Sequence, residues 1–345
     1  MEQAVSVVTI ADVAAAAGVG AGTVSRVLNG SPQVRPDTRA RVLSQIEALD
    51  YRPSPLARGL SRGHSQTVGL ILPFFTHASA VERLRGVVDA LEQSRHDLVL
   101  FNVTSVEHRD EHLGSLTRRD RAAGLLVMSL PPPRRDLARL RKAGVPVVLV
   151  DARGTGVPSV LVDDVEGGRI ATRHLVALGH RRIAFIGGDV ENPLGTRAGA
   201  DRECGFREVM REAGIQVRPS LVVHGPFLRY AARRLTERLL SQRVPPTAIF
   251  AASDMQALGV LEAARAAGLG VPKDLSVVGF DDIEIAAYAG LTTVHQPLFE
   301  SGRLGARMLL DALESGTTPA VGTRMLPLEL VERSTTAPPA RRGKD

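Results

Sequence analysis

Residues 8–32 read VTIADVAAAAGVGAGTVSRVLNGSP, and almost every position has a local structural meaning. Thr9 followed three residues later by Asp12 is a capping-box-like start, in which side-chain oxygens take up the orphan N–H groups of a first helical turn. The alanine-rich run 10–17 favours helix. Gly18 suits the left-handed conformation that ends it. A three-residue turn, Gly18–Gly20, leads into a second short helix over roughly Ala21–Leu28, and Asn29-Gly30 stops that one. Two short helices on a tight glycine-containing turn form a helix-turn-helix. A third helix follows, with Pro36 in its first turn and Val42, Ile46 and Leu49 on one apolar stripe that can pack beneath the other two. Gly18, Gly20 and Gly22 also invite comparison with a dinucleotide-binding loop. That fingerprint needs a preceding strand and a glycine at position 23; here a helical pattern precedes and Thr23 stands there.

Beyond this segment the composition changes. Residues 51–65, YRPSPLARGLSRGHS, form a Pro/Gly/Arg/Ser-rich junction that reads as a linker. From Val68 onward short apolar runs recur: VGLIL at 68–72, LVLF at 98–101, LLVM at 125–128, PVVLV at 146–150, IAFIG at 183–187, AIFAA at 248–252 and LSVVGF at 275–280. Helical patterns such as 81–93 and 231–242 separate them. Strands alternating with helices imply parallel sheets covered on both faces. About ten such strands exceed one compact unit, so two similar α/β lobes with a cleft between them are expected.

Composition narrows the function classes. The chain of 345 residues is 44% hydrophobic and 23% charged, an ordinary globular balance. Its single cysteine, Cys204, excludes an internal disulfide and any cysteine-cluster metal site, and fits a reducing cytosol. The apolar helical context of Cys204 suggests a buried structural thiol. The start MEQAVSVVTI lacks the features of a signal peptide, and no apolar run reaches the ~18 residues of a membrane span. Lysine plus arginine is 43 against 37 acidic residues, a net charge of +6. Three of the basic residues are lysine (Lys142, Lys273, Lys344) and the rest arginine, which permits a nucleic-acid partner without demonstrating one. The nine histidines show no H-E-x-x-H spacing. Asp281 and Asp282 diverge if they share a strand, which argues against an acid–base dyad. No catalytic set, metal site or cofactor is expected.

The strings TVSRVLN (23–29) and Y-x-P-x-x-x-A-x-x-L (Tyr51, Pro53, Ala57, Leu60) together resemble the DNA-binding headpiece of the LacI/GalR family of transcription regulators. The likeness continues through HLVALGHRRIAFIGG (174–188), RECGF (202–206), PTAIFAASDMQALG (246–259), GLGVPKDLSVVGFDD (268–282) and LTTVHQP (291–297), covering roughly 8–335. The resemblance implies a headpiece over 1–52, a hinge over 53–65, a first effector lobe over 66–164 and 294–323, a second over 165–293 and 324–335, and a disordered tail over 336–345. The fold class is α/β, a helix-turn-helix joined to a core like the periplasmic sugar-binding proteins. Double-stranded operator DNA, a small sugar-like effector and a second copy of the chain are the implied partners.

In this family the second helix enters the major groove. The matching positions are Ala21, Gly22 and Arg26. Arg26 can read a guanine bidentately, worth about 1–3 kcal/mol of discrimination, or hold a phosphate or carboxylate. Ala21 and Gly22 offer only methyl packing or close backbone approach. Thr9, Thr23, Ser25 and Asn29 are expected phosphate contacts, Thr9 also being a helix cap. In the hinge, Ser54 and Pro55 suit a helix start, and Gly59 weakens a helix too short to stand alone. Leu60 matches the family's minor-groove wedge, with Ala57 beside it and Arg58 and Arg62 near phosphates.

In the cleft, Asp281 and Arg202 match the family's main polar effector contacts. Carboxylate and guanidinium together suit vicinal hydroxyls, although an interdomain ion pair is the alternative. Phe227 matches a ring that stacks on the effector, or it packs in the core. Ser253-Asp254 opens a helix, so Asp254 is either its cap or a ligand contact. Pro73, Phe74 and Phe75 end one strand facing the cleft, and Asp151 ends another. Gln296 is a crossover or effector residue. His174 and His180 flank a helix end and cap or pack there. The family's acidic position before the third strand is absent, since 122–126 read AAGLL, and PPPRRD at 131–136 is unusual beside the cleft. The rival classes are a corepressor-dependent regulator, a sugar-transport protein, which explains only 66–335, and a nucleotide-sugar or NAD enzyme. The tail lacks heptads, so a dimer rather than a tetramer is expected.

Overall fold

A computed structural model describes residues 8–51, 66–117 and 121–340. The hinge residues Ala57 and Leu60, with Ser54, Pro55, Arg58, Gly59 and Arg62, lie outside the described residues. The chain divides into two units, Met1–Gln66 and Thr67–Asp345.

The first unit has three helices, α1 (Ile10–Ala17), α2 (Ala21–Leu28) and α3 (Pro36–Ala48). The Thr9 hydroxyl accepts from the Asp12 backbone N–H while the Asp12 carboxylate accepts from the Thr9 N–H at 2.7 Å, closing the capping box. Gly18 takes φ 64°, ψ 39° and sends its N–H back to the last turn of α1. A side chain there would be strained, so this turn requires glycine. Val13, Ala14 and Ala17 of α1, Val24 and Val27 of α2 and Val42 of α3 form a buried core. Ile46 and Leu49 complete the α3 stripe from its edge.

The second unit carries two six-stranded sheets. In chain order the strands are β1 (Thr67–Pro73), β2 (Asp97–Val103), β3 (Gly124–Met128), β4 (Val147–Val150), β5 (Ser159–Leu161), β6 (Ile183–Gly187), β7 (Val222–His224), β8 (Ala248–Ala251), β9 (Ser276–Asp281), β10 (Thr292–His295), β11 (Thr323–Met325) and β12 (Glu329–Val331). The helices are α4 (Ala78–Leu91), α5 (Val106–Ser115), α6 (Arg134–Lys142), α7 (Asp164–Ala177), α8 (Ala198–Glu212), α9 (Arg229–Leu240), α10 (Asp254–Ala266), α11 (Glu284–Tyr288) and α12 (Leu298–Ser315). The sheet of the first lobe runs β11-β5-β4-β3-β1-β2 and that of the second β12-β10-β9-β8-β6-β7. Every pairing is parallel except β12 against β10.

Central strands such as LILP and IAFIG are buried on both faces. That is why they read as continuous apolar runs without alternation. Apolar clusters line both sides of each sheet. The covering helices pack in pairs at glycines. A Cβ on Gly86 would strike the backbone of Phe299 and Arg303, and one on Gly302 the backbone of Arg83. Gly205 meets Val165 and Arg169 in the same way, and Gly168 meets Arg202.

The lobe boundaries differ from those expected at 293/294 and 323/324. All of β10, from Thr292 to His295, pairs with β9, so the chain leaves the second lobe at Gln296. Thr323–Met325 pairs with β5, so the last crossover follows Met325. Strand β11 is three exposed residues with no alternation to mark its sheet. The expected disorder of 336–345 is also corrected as far as residue 340. The Ala337 carbonyl accepts from His180 Nε2 and Ser276 Oγ, both at 2.9 Å, and Thr336 Oγ1 meets His174 Nε2 at 2.9 Å. Proline-rich composition reads as disorder, yet this segment supplies the acceptors for a polar patch at the end of the second sheet.

Candidate functional site

On the headpiece, Val24 and Val27 face the core and turn Gly22, Arg26 and Asn29 outward, with Ala21 exposed at the helix start. Thr23 and Ser25 are half-buried at its flanks. Asn29 Nδ2 donates to Ser25 Oγ at 3.5 Å. Gly20 caps α2 without a side chain, so the first N–H groups of α2 have no capping side chain, as a phosphate contact requires. Thr9 is committed to its capping box. Four arginines (Arg26, Arg35, Arg39, Arg41) balance four carboxylates (Asp12, Asp37, Glu47, Asp50) over 8–51. The outward face of α2 therefore distinguishes this unit more than its net charge does.

In the second unit a cleft of about 200 Å³ lies between the lobes, where the carboxyl ends of both sheets meet. Ligands of open α/β sheets bind at such strand ends. The backbone is strained there. Phe74, Ser129, Asp151, Asp281 and Asp282 all have positive φ, and the first four line the cleft. Pro73, Phe74, Asp151, Arg202, Phe227, Ser253, Asp281 and Gln296 line it, whereas Phe75, expected beside Pro73 and Phe74, is exposed and does not.

A polar chain crosses the cleft. Ser129 Oγ donates to Asp151 at 2.6 Å. Arg83 reaches Asp151 at 3.2 Å and the Gln296 side-chain carbonyl at 3.1 Å. The Gln296 amide donates to Asp281 at 2.5 Å, joining the lobes at their last-but-one crossover. Arg202 lies 3.8 Å from Asp281, donates its Nε–H to Asp164 at 2.9 Å and another N–H to the Ala252 carbonyl at 2.6 Å. Its guanidinium sits 3.6 Å above the Phe280 ring. Burial pushes the Asp164 carboxyl up to about 6, against the pull of Arg202 and with a further push from Asp151. Burial raises Asp281 as well, against the pull of Arg202. Burial lowers the His77 imidazole, which stacks on Phe74 at the cleft mouth.

Several residues take roles other than those expected. Ser253, not Asp254, caps α10, accepting from the Gln256 N–H. Asp254 is buried and bonds the Ile283 N–H and the Thr293 hydroxyl, tying α10 to the strand ends. Both carboxylate oxygens are used, so it is structural. Asp282 pairs with Arg333 at 2.7 Å and His295 at 3.1 Å, outside the cleft. Cys204 is exposed rather than buried, because the buried face of α8 runs through Arg202, Gly205, Phe206 and Val209. Phe227 lies over Gly188 and Gly199, with its ring half in the core and half in the cleft.

Arg83, Asp164 and Ser129 were not anticipated. Arg83 was legible, since it falls in register with Ala80, Val87 and Leu91 on the buried face of α4. A charged residue on an apolar stripe signals a paired or ligand-facing group. Asp164 hides in LVDDVEGG, which reads as a helix start. Among the described residues no group of side chains is arranged to hold a metal ion. No helix there is long and apolar enough to cross a membrane.

Residues 9–54 match the bacterial regulatory proteins of the lacI family, and residues 172–336 a periplasmic binding protein-like domain. Catabolite control protein A of Priestia megaterium is 35% identical over 314 residues, covering 90% of this chain and 94% of that protein. A solved complex of the transcriptional regulator CelR with cellobiose is 35% identical with a TM-score of 0.68, covering 95% and 99% of the two chains. A lac repressor dimer bound to operator and the anti-inducer ONPF superposes with a TM-score of 0.75 at 28% identity, covering 96% and 100%. The chain belongs to the lacI family of bacterial regulatory proteins.

Proposed function

We propose that the protein is a transcriptional repressor acting in the cytoplasm as a homodimer on an inverted-repeat operator, released by a small sugar-like effector between its lobes. The observation that carries this reading is the coexistence of two features in one chain. One is an outward α2 face bearing Gly22, Arg26 and Asn29; the other is an interlobe cleft lined on its second-lobe side by the Arg202–Asp281 pair. On the operator, Arg26 reads a base edge, and Thr23, Ser25, Asn29 and the α2 N-terminus hold phosphates. Ala57 and Leu60 of each hinge enter the central minor groove. The effector bonds Arg202 and Asp281, with Ser253, Gln296 and Asp151 around it and Phe227, Phe74 and Pro73 on its apolar faces. Because Gln296 lies at a crossover and bonds both lobes, a ligand there biases their relative disposition. Such coupling is typically worth about 1–3 kcal/mol. The lac repressor dimer on operator supports the homodimer, and the CelR–cellobiose complex supports a sugar.

Fluorescence anisotropy on DNA from the gene's own upstream region, at two salt concentrations and with pooled neutral sugars, tests it. Selective, salt-dependent binding released by the pool is expected. Sequence-independent binding, or release by none of the pool, overturns the corresponding half of the reading.

A further inference from the structure

The loops that enter the second sheet meet at the end away from the cleft. The Thr247 N–H donates to the Arg182 carbonyl at 2.9 Å, so the starts of β6 and β8 lie side by side. The Gln242 side-chain amide donates to the Ser220 carbonyl at 2.8 Å, which brings the segment after α8 to the same place. These three stretches, 178–183, 211–221 and 241–247, carry five arginines (Arg181, Arg182, Arg211, Arg218, Arg243) against one carboxylate, Glu212. That is a surplus of four positive charges in a chain whose whole surplus is six, whereas 8–51 is balanced. A groove of about 380 Å³ opens among them. Arg181, Arg182 and Arg218 line it with Gln216, over a floor of Met210 and Leu221, and among the described residues no carboxylate does. The five residues of β6, at about 3.3 Å each, set it roughly 15 Å from the cleft.

Neutral oxygens orient these guanidinium groups. Arg182 donates its Nε–H to the Pro245 carbonyl at 3.1 Å and an Nη2 hydrogen to the Gln242 side-chain oxygen at 3.2 Å. Arg181 spends Nη1 on the Val176 and His180 carbonyls at 3.3 and 3.2 Å, capping the end of α7. That leaves its Nε and Nη2 without an acceptor among the described residues. The Arg218 side chain makes no hydrogen bond among them, and neither Arg181 nor Arg218 has a carboxylate within ion-pair distance there. Other exposed arginines of this lobe, Arg197, Arg207 and Arg229, each hold one. A carbonyl fixes the plane of a guanidinium without cancelling its charge, so the groove presents oriented donors and unspent positive charge. The planar fork of arginine matches a phosphoryl group bidentately. Such a group brings three acceptor oxygens and nearly two negative charges, more than a carboxylate offers. The volume falls in the range of small-ligand sites, roughly 300–1,000 Å³, and leaves room for an organic body beside the phosphoryl group.

We infer that this groove is a second ligand site, separate from the cleft, that takes the phosphoryl group of a small metabolite through Arg181, Arg182 and Arg218. The inference is independent of what the cleft binds. Calorimetry on the full-length protein in low salt tests it, with inorganic phosphate and glycerol 3-phosphate as the probes and glycerol as the uncharged control. The variants are Arg218→Gln, Arg181→Gln and Arg324→Gln, the last an exposed arginine of the first lobe. Arg181→Gln also loses a cap of α7, so circular dichroism melts check its folding; Arg218→Gln breaks no hydrogen bond and carries the test alone if Arg181→Gln does not fold. Wild type is expected to bind each phosphate once per chain and glycerol not at all. Affinity is expected to fall at least fivefold in Arg218→Gln and in folded Arg181→Gln, and to stay within twofold in Arg324→Gln. No binding of either phosphate at millimolar concentration, or affinity within twofold of wild type in Arg218→Gln, overturns the site. A duplex of random sequence is titrated in parallel. If Arg218→Gln weakens that duplex at least fivefold while neither small phosphate binds wild type, the groove holds nucleic-acid backbone and the metabolite assignment falls.

Discussion

Arg202→Ala removes the nearer of the two guanidinium groups that act on Asp164 and Asp281, Arg83 being the other. Both carboxylates are largely buried, and the Ala252 carbonyl loses its donor at the same time. Breaking a buried ion pair from one side costs about 3–5 kcal/mol. Here the cost depends on pH, because Asp164 already titrates near 6 with the arginine beside it. Without Arg202, both carboxyls rise further above their unfolded values. The folded state then binds more protons than the unfolded state across a wider window, and stability falls as pH rises through it. The deficit of Arg202→Ala relative to wild type should therefore be smallest near pH 5 and grow toward pH 8. Urea unfolding at pH 5, 6.5 and 8 measures this, with midpoints and slopes compared at each pH. A deficit under 1 kcal/mol, the same at all three values, would refute the reasoning: Arg202 would then not be neutralising these carboxylates. Asp164→Asn in the same series should flatten the pH dependence.

On operator DNA, Arg26→Ala should cost about 1–3 kcal/mol and relax selectivity at one base pair; anisotropy on operator and scrambled DNA decides, since equal losses on both would assign Arg26 to a phosphate. Leu60→Ala should weaken operator binding far more than nonspecific binding, and equal losses would count against the minor-groove wedge. Thr9→Ala should lower headpiece stability by about 0.5–2 kcal/mol through its cap, and Thr9→Ser should restore it; circular dichroism melts of both variants test this. Gly302→Ala pushes a methyl into the Arg83 backbone and should destabilise the first lobe by at least about 1–3 kcal/mol, read as a lower urea midpoint.

Local chemistry determined the headpiece. Thr9, Asp12, Gly18, Asn29 and Pro36 each act within a few residues of themselves, so capping and turn rules place three helices without any tertiary information. The parallel strands were equally legible, because burial on both faces leaves unbroken apolar runs. The motif positions also pointed to residues that line the cleft, such as Pro73, Asp151 and Asp281 at strand ends, though not to the outward turn of Phe75. What the sequence could not hold was anything dependent on distant partners. Exposure of Cys204 depends on which face of α8 meets α7. The role of Asp254 depends on Ile283 and Thr293, which approach it only when β9 and β10 are laid beside β8. The sheet chosen by β11 depends on the neighbour β5, 164 residues earlier, as the pairing of Thr323 with Ser159 and Met325 with Leu161 shows. Arg83 is the sharpest case. Its place on an apolar stripe marked it as unusual, but only the crossing of α4 with α12 and the nearness of Asp151 and Gln296 turn a buried guanidinium into a link of the polar chain across the cleft. Tertiary structure decided these roles because a buried charge has no meaning until the groups that neutralise it are in place.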